Sequence, residues 1–220
     1  MKKILLLISI IYSYCVNAQD FIWAGNSLQN SNTYLNGSNH ITSDEESNAY
    51  VTGCFWQNLS IGTTSVNAPG QAGFFLAKYD VKGNVKWVIH EVTNDQQYAT
   101  DMCYDNSGHI YITGVFEGTV HFGSTTFTQY YAGYSGFIAK YDNAGNQQWM
   151  QRFGAHKRDV VNGIAFDAAG MLYAIGTYVG PTTFGGMPLT LPSYGYGAIF
   201  VGKFDPATGN AIWLKTGGGQ

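Results

Sequence analysis

One phrase recurs three times along this chain, and its spacing limits the fold more than any other feature. FFLAKYDVKGNVKW runs from Phe74 to Trp87, GFIAKYDNAGNQQW from Gly136 to Trp149 and IFVGKFDPATGNAIW from Ile199 to Trp213. A second phrase precedes each: DEESNAYVTGCF from Asp44, DNSGHIYITGVF from Asp105 and DAAGMLYAIGTY from Asp167. Asp44, Asp105 and Asp167 lie 61 and 62 residues apart, as do Tyr50, Tyr111 and Tyr173, and Gly53, Gly114 and Gly176. An apolar-Gly pair keeps the same intervals at Ile61-Gly62, Phe122-Gly123 and Phe184-Gly185. Lys78, Lys140 and Lys203 follow at 62 and 63, and Trp87, Trp149 and Trp213 at 62 and 64. Independent markers that hold one register through three copies define an array of units, taken as 24–87, 88–149 and 150–213.

Each unit reads as short strands and turns. Runs rich in Val, Ile, Phe and Tyr are separated by Gly, Asn and Asp, and the mature chain has no stretch of helical apolar period. In D-x-x-G and D-N-A-G-N the Asp side chain caps the turn's own amides while Gly takes the positive φ that a Cβ resists. In HIYITGVF, Tyr111, Thr113 and Val115 share one face and Ile110, Ile112 and Phe116 the other. Apolar residues on both faces require packing on both faces. Repeated small antiparallel sheets covered on each side describe blades of a β-propeller, so the expected fold is all-β, with about three four-stranded antiparallel blades.

The combined pattern, D-x-x-G-x-x-Y-x-x-G-x-F, then F-G, then F-x-A-K-Y-D-x-x-G-N-x-x-W, resembles the SBBP-type β-propeller repeat of exported bacterial proteins. The resemblance covers about residues 21–216. Three departures stand out: Ser47 in place of the turn Gly, Ile61 in place of the Phe of Phe-Gly, and Gly202 with Phe204 varying AKYD. The resemblance implies a secreted or surface-displayed propeller, often part of a longer protein.

The N-terminus agrees with export. Lys2 and Lys3, an apolar run from Ile4 to about Val16 and a small residue at Ala18 have the layout of a signal peptide over 1–18. The region 19–220 is then the repeat array, with a leading strand at 21–25 carrying Trp23. Without residues 1–18 the chain has 9 basic and 14 acidic residues, a net of −5. Such an acidic domain lacks the electrostatic footprint of a nucleic-acid or anionic-lipid binder. Cys54 and Cys103 sit in apolar strand-like runs and read as small buried side chains rather than as a disulfide. Propellers close with about four to eight blades, whereas three units are present. Either further blades follow Gln220, making this an incomplete propeller, or uncovered end blades drive self-association that closes a ring.

Chemical motifs are scarce. The five histidines form no HExxH, HxH or Cys-His spacing, and no nucleophile elbow, P-loop or dinucleotide fingerprint occurs. The Asp-rich turns lack the alternating carboxylates and closing Glu of a calcium loop. No cofactor or metal is expected. Repeated residues serve the scaffold, so a specific site belongs where the repeats disagree: the loops HEVTNDQQ (His90 to Gln97) and GAHKRD (Gly154 to Asp159). His90, Glu91, Asp95, His156, Arg158 and Asp159 are the binding candidates, set against the plainer reading that they are solvated loop residues. The expected function is an exported, non-catalytic scaffold that binds a protein or glycan, with no nucleic acid and no integral membrane segment after cleavage. The alternative is a glycosidase or lyase with paired carboxylates in the channel.

Overall fold

A computed structural model describes residues 37–93, 97–122, 125–128, 133–154, 158–190 and 197–218. The segment 1–18 read as a signal peptide and the leading strand expected at 21–25 lie outside them. Among the described residues the chain forms strands and no helix. Among them no helix is long and apolar enough to cross a membrane.

The strands build three four-stranded antiparallel sheets in chain order. The first is a meander of β1 (Gly37–Ser43), β2 (Ala49–Ile61), β3 (Thr64–Tyr79) and β4 (Val85–Thr93). In the second, β5 (Gln97–Tyr104), β6 (His109–Phe116), β9 (Ser135–Asp142) and β10 (Gln147–Phe153) lie side by side, and the hairpin β7 (Thr119–Phe122) and β8 (Thr125–Thr128) is inserted between β6 and β9. The third repeats this plan with β11 (Val160–Phe166), β12 (Leu172–Tyr178), β15 (Ala198–Phe204) and β16 (Ala211–Gly218), and β13 (Thr182–Phe184) with β14 (Met187–Leu189) as the insert. In the first sheet the same insert is the continuous far end of the β2–β3 hairpin, set off by a register shift between Trp56 and Gln57. Ile61-Gly62 and Phe184-Gly185 are insert tips, and Phe122 ends β7. No sheet closes on itself.

The turns follow from the aspartates. Asp80 Oδ1 accepts from the backbone N–H of Lys82 and Asn84, both at 2.9 Å, and Asp142 Oδ1 does the same for Ala144 at 2.9 Å and Asn146 at 2.8 Å. Asp105 and Asp167 close the β5–β6 and β11–β12 turns likewise. The turn glycines carry positive φ, 89° at Gly145 and 75° at Gly170, and Ser47 carries 62° in the copy that lacks Gly. A non-glycine residue there costs about 1–2 kcal/mol. Ser47→Gly is therefore expected to stabilise the fold by about 0.5–1 kcal/mol after the extra chain entropy of Gly is offset. A chemical-denaturation midpoint measures it, and an unchanged midpoint would contradict the strain assigned to Ser47.

The sheets stack face to face. Tyr50, Phe74 and Leu76 of the first pack with Met102, Ile110, Ile112, Phe137 and Tyr141 of the second. Tyr111, Ile138 and Phe153 on the second sheet's other face pack with Val161, Ile164, Leu172 and Phe200 of the third. Apolar residues on both faces of β6 are thus accounted for: Ile110 through Phe116 are all buried. Among the described residues another sheet covers only one face of the third sheet, and β12 alternates between buried and more exposed residues. Gly202 replaces the Ala of the other copies because a Cβ there would lie 2.5 Å from Leu214 and 2.6 Å from the Phe204 ring. One departure from the repeat compensates another.

Candidate functional site

The two kinds of Asp turn lie together at one end of every sheet, since Tyr79, beside the Asp80 turn, pairs with Ala49 just after the Asp44 turn. The connections between sheets and the bases of the inserts occupy the opposite end.

At the Asp-turn end the repeated polar residues converge. Lys78 Nζ lies 3.5 Å from Asp44 Oδ2 and 5.0 Å from the centroid of the Tyr50 ring. The Tyr50 hydroxyl lies 3.0 Å from Asp44 Oδ2 and 2.6 Å from Asn143 Oδ1 and shares its single proton between these two acceptors, and Lys78 also donates to that amide oxygen. Trp87 Nε1 donates to the Asn143 carbonyl at 3.1 Å. Asn143 follows Asp142 in the β9–β10 turn of the next sheet. One unit later the arrangement repeats: Lys140 Nζ at 3.1 Å, Tyr111 Oη at 3.2 Å and Trp149 Nε1 at 3.1 Å all donate to the carbonyl of Pro206, which follows Asp205 in the β15–β16 turn. The repeated Lys is therefore a structural group that grips the neighbouring sheet's turn. Burial lowers the Lys140 ammonium pKa, against the raising charges of Asp105 and Asp205. Burial, reinforced by Asp44 at Tyr50 and Asp105 at Tyr111, pushes both phenols well above their usual range, so they remain donors.

The turn carboxylates set the acid response. Burial alone would raise Asp44 and Asp142, but hydrogen bonds from Asn48 and Tyr50 to the first, and from Asn146 and Ala144 to the second, outweigh it and leave both below the usual 3.8. Asp80 is lowered by its hydrogen bonds with Asn84, and Asp167 by the backbone N–H of Met171. Groups with depressed folded pKa values contribute stability that is full above the unfolded value and lost as pH falls through the folded one. Thermal midpoints are expected to hold from pH 7 to about 5 and to fall progressively below about 4. A midpoint flat down to pH 2.5 would refute the assignment.

The candidates drawn from the repeat-breaking loops divide. HEVTNDQQ is not wholly a loop: the β3–β4 ladder continues past Trp87, pairing Phe75 with His90, Phe74 with Glu91 and Ala72 with Thr93, and Gln97 begins β5. The expectation of a loop fails there because the strand's hydrogen bonds extend to Thr93. His90 is exposed and Glu91 half-buried; Gln97 Nε2 donates to the Glu91 carbonyl at 2.9 Å. Asp95 and His156 lie outside the described residues. Arg158 is exposed, with φ 72°. Asp159 is fully buried, and its carboxylate accepts from the Val179 N–H at 2.7 Å while its own N–H donates to the Tyr134 carbonyl at 3.1 Å. It braces two connections rather than facing a ligand. Gly154 leaves room for it, since a Cβ there would sit 2.4 Å from the Asp159 carboxylate. All four described candidates lie at or toward the connection end, where a shallow open depression is lined by Arg152, Gly154, Pro181, Thr182 and Thr183.

One polar residue escaped the sequence reading. Asp101 sits at the register shift of β5, 3.7 Å from His40 Nδ1 on β1, and accepts from the Ile164 N–H of β11 at 2.9 Å, so it ties together the first strands of all three sheets. Its counterparts at the same shift, His40 and Gly163, differ in type. Comparing the copies at that position would have found it. Cys54 and Cys103 form no disulfide, and burial pushes the Cys103 thiol far above its usual range. Among the described residues no group of three or more His, Cys, Asp or Glu gathers to hold a metal ion. No family model and no curated protein matches the chain.

Proposed function

We propose that this chain is a blade array of the SBBP β-propeller type from an exported or cell-surface protein, and that it acts as a non-catalytic scaffold binding a protein or glycan at the connection end. One observation carries the reading. The polar side chains that recur in all three units, Asp, Tyr and Lys, are engaged with one another, and in the first two units also with the neighbouring turn. What varies between units is displayed at the other end, where exposed His90 and Arg158 accompany Arg152, Pro181 and Thr182. A scaffold of fixed sheets with variable end loops is a common way to carry recognition.

The test is a glycan array and a polysaccharide panel run with the full-length chain, read for both retention and released product. Retention without product, reduced at least tenfold in a His90→Ala/Arg158→Ala double variant, is the expected result. Product release would replace the scaffold reading with a carbohydrate-active enzyme. Retention unchanged in the double variant would remove this end as the site.

A further inference from the structure

Among the described residues the sheet-to-sheet grip is used twice and left open once. On the third sheet Lys203 Nζ lies 3.4 Å from Asp167 Oδ2 and 5.2 Å from the Tyr173 ring centroid, and the Tyr173 and Trp213 rings meet at 6.0 Å and 70°. The first two sheets show the same arrangement, with Lys to ring distances of 5.0 and 5.2 Å and Tyr to Trp distances of 6.0 and 5.8 Å. In those two the Trp Nε1 donates to the carbonyl of the residue after a turn Asp. Among the described residues, no such carbonyl meets Trp213.

The surrounding face tells the same story. Thr52 and Leu76 on the first sheet, and Thr113 and Ile138 on the second, are at most 1 % exposed beneath the next sheet. Their counterparts Ile175 and Val201 on the third are 52 % and 38 % exposed, with Ile199 at 55 % beside them. These residues are apolar, adjacent across β12 and β15, and without a covering sheet among the described residues.

The first sheet carries a matching turn that grips no other sheet among the described residues. The β3–β4 turn has the closure of the two docked turns: Asp80 N–H donates to Asn84 O at 2.9 Å, and Gly83 N–H to Asp80 O at 2.8 Å, as Asp142 does with Asn146 and Gly145. Val81 stands where Asn143 and Pro206 stand, and it is 49 % exposed. We propose that the Asp167, Tyr173, Lys203 and Trp213 cleft, with the Ile175, Ile199 and Val201 face, is a docking site for the Asp80–Val81 turn and first sheet of a second copy of this chain, joined head to tail. The Val81 carbonyl takes the place of the Pro206 carbonyl and receives Trp213 Nε1, Lys203 Nζ and the Tyr173 hydroxyl. This is a heterologous contact, which either closes into a ring or extends. It stands on sheet packing alone and is independent of the ligand reading above.

The experiment is sedimentation velocity on the full chain across the micromolar range, without ligand. Reversible association is expected. Ile199→Lys/Val201→Lys places charge on the open face, and Val81→Lys brings an ammonium against Lys203; each is expected to weaken association at least tenfold. All three side chains are exposed, and circular dichroism with an unchanged thermal midpoint confirms folding. Mixing the two variants is expected to give a one-to-one complex, because each retains the half the other lacks. Val81→Asn, which restores the side chain that grips Tyr50 and Lys78 at Asn143, is expected to tighten association about tenfold. A chain that stays monomeric throughout, or association unaffected by both variants, overturns the proposal. So does a failure of the two variants to complement, which marks a face-to-face dimer.

Discussion

Phe153→Ala is expected to destabilise the fold by about 3–5 kcal/mol. Phe153 closes β10, is fully buried, and meets the rings of Phe184 and Phe200 at 4.7 Å and Tyr178 at 6.2 Å. With Tyr111 it is one of the second sheet's two fully buried aromatic rings in the cluster that joins it to the third. Gly136, its cross-strand partner, leaves space for it, because a Cβ at Gly136 would come within 3.2 Å of the Phe153 ring and 3.0 Å of the Val161 nitrogen. Small neighbours of this kind cannot move in to fill the hole, which places the expected value toward the upper part of the range. Urea unfolding followed by tryptophan emission measures the loss. A midpoint shift worth less than about 1 kcal/mol would show that the interface between these two sheets is not held by this cluster.

The second large effect is a contrast between two repeated tryptophans. Trp149→Ala is expected to lose about 3 kcal/mol, since the ring packs edge to face with Tyr111 at 5.8 Å, lies against Gly209 and donates Nε1 to Pro206 of the next sheet. Trp149→Phe keeps much of the packing and is expected to lose about 1 kcal/mol, the worth of one hydrogen bond. Trp213→Ala, at the same position of the repeat, is expected to lose under about 1 kcal/mol under dilute conditions, because it meets Tyr173 but no neighbouring turn among the described residues. Equal losses at 149 and 213 in the monomer would show that the third cleft is already filled and would count against head-to-tail docking. At concentrations where the chain associates, the Trp213 loss is expected to grow toward that of Trp149.

The glycines that recur beside these residues were readable as scaffold, although their reason was not. Gly114 and Gly176 look like strand residues that ought to cost stability. A Cβ at Gly114 would lie 2.4 Å from the Tyr98 carbonyl and 2.6 Å from the Phe137 ring, and one at Gly176 would lie 2.1 Å from the Val160 carbonyl and 2.4 Å from the Phe200 ring. Phe137 of the G-F-I phrase and Phe200 of the A-I-F phrase thus each need the glycine opposite on the paired strand, where Gly114 faces Phe137 and Gly176 faces Phe200. The repeat kept both partners, and only pairing revealed that they are partners.

The candidate site was less legible. Asp159 and Arg158 are adjacent polar residues in one loop phrase, yet one is buried as a brace and the other exposed. Residue type carries no information about which backbone amide a carboxylate will meet, and here that amide is 20 residues away at Val179. Asp101 was passed over for the same reason: its partners, His40 and the Ile164 N–H, lie on two other sheets.

By itself the sequence determined the unit length, the all-β class, the positions of the Asp and Gly turns and the burial of both faces of β6, because each rests on interactions between residues close in the chain or on side-chain alternation along a single strand. Tertiary structure decided what the repeated Lys and Trp do. The acceptors of Trp87, Trp149 and Lys140 are backbone carbonyls 56 to 66 residues away, at Asn143 and Pro206, and a carbonyl has no side-chain identity for a sequence pattern to preserve; Lys78 instead meets the Asn143 side-chain oxygen, which Pro206 lacks one unit later. The same fact leaves the third cleft indistinguishable from the first two in sequence, and only the packing of the sheets shows which of the three meets no turn among the described residues.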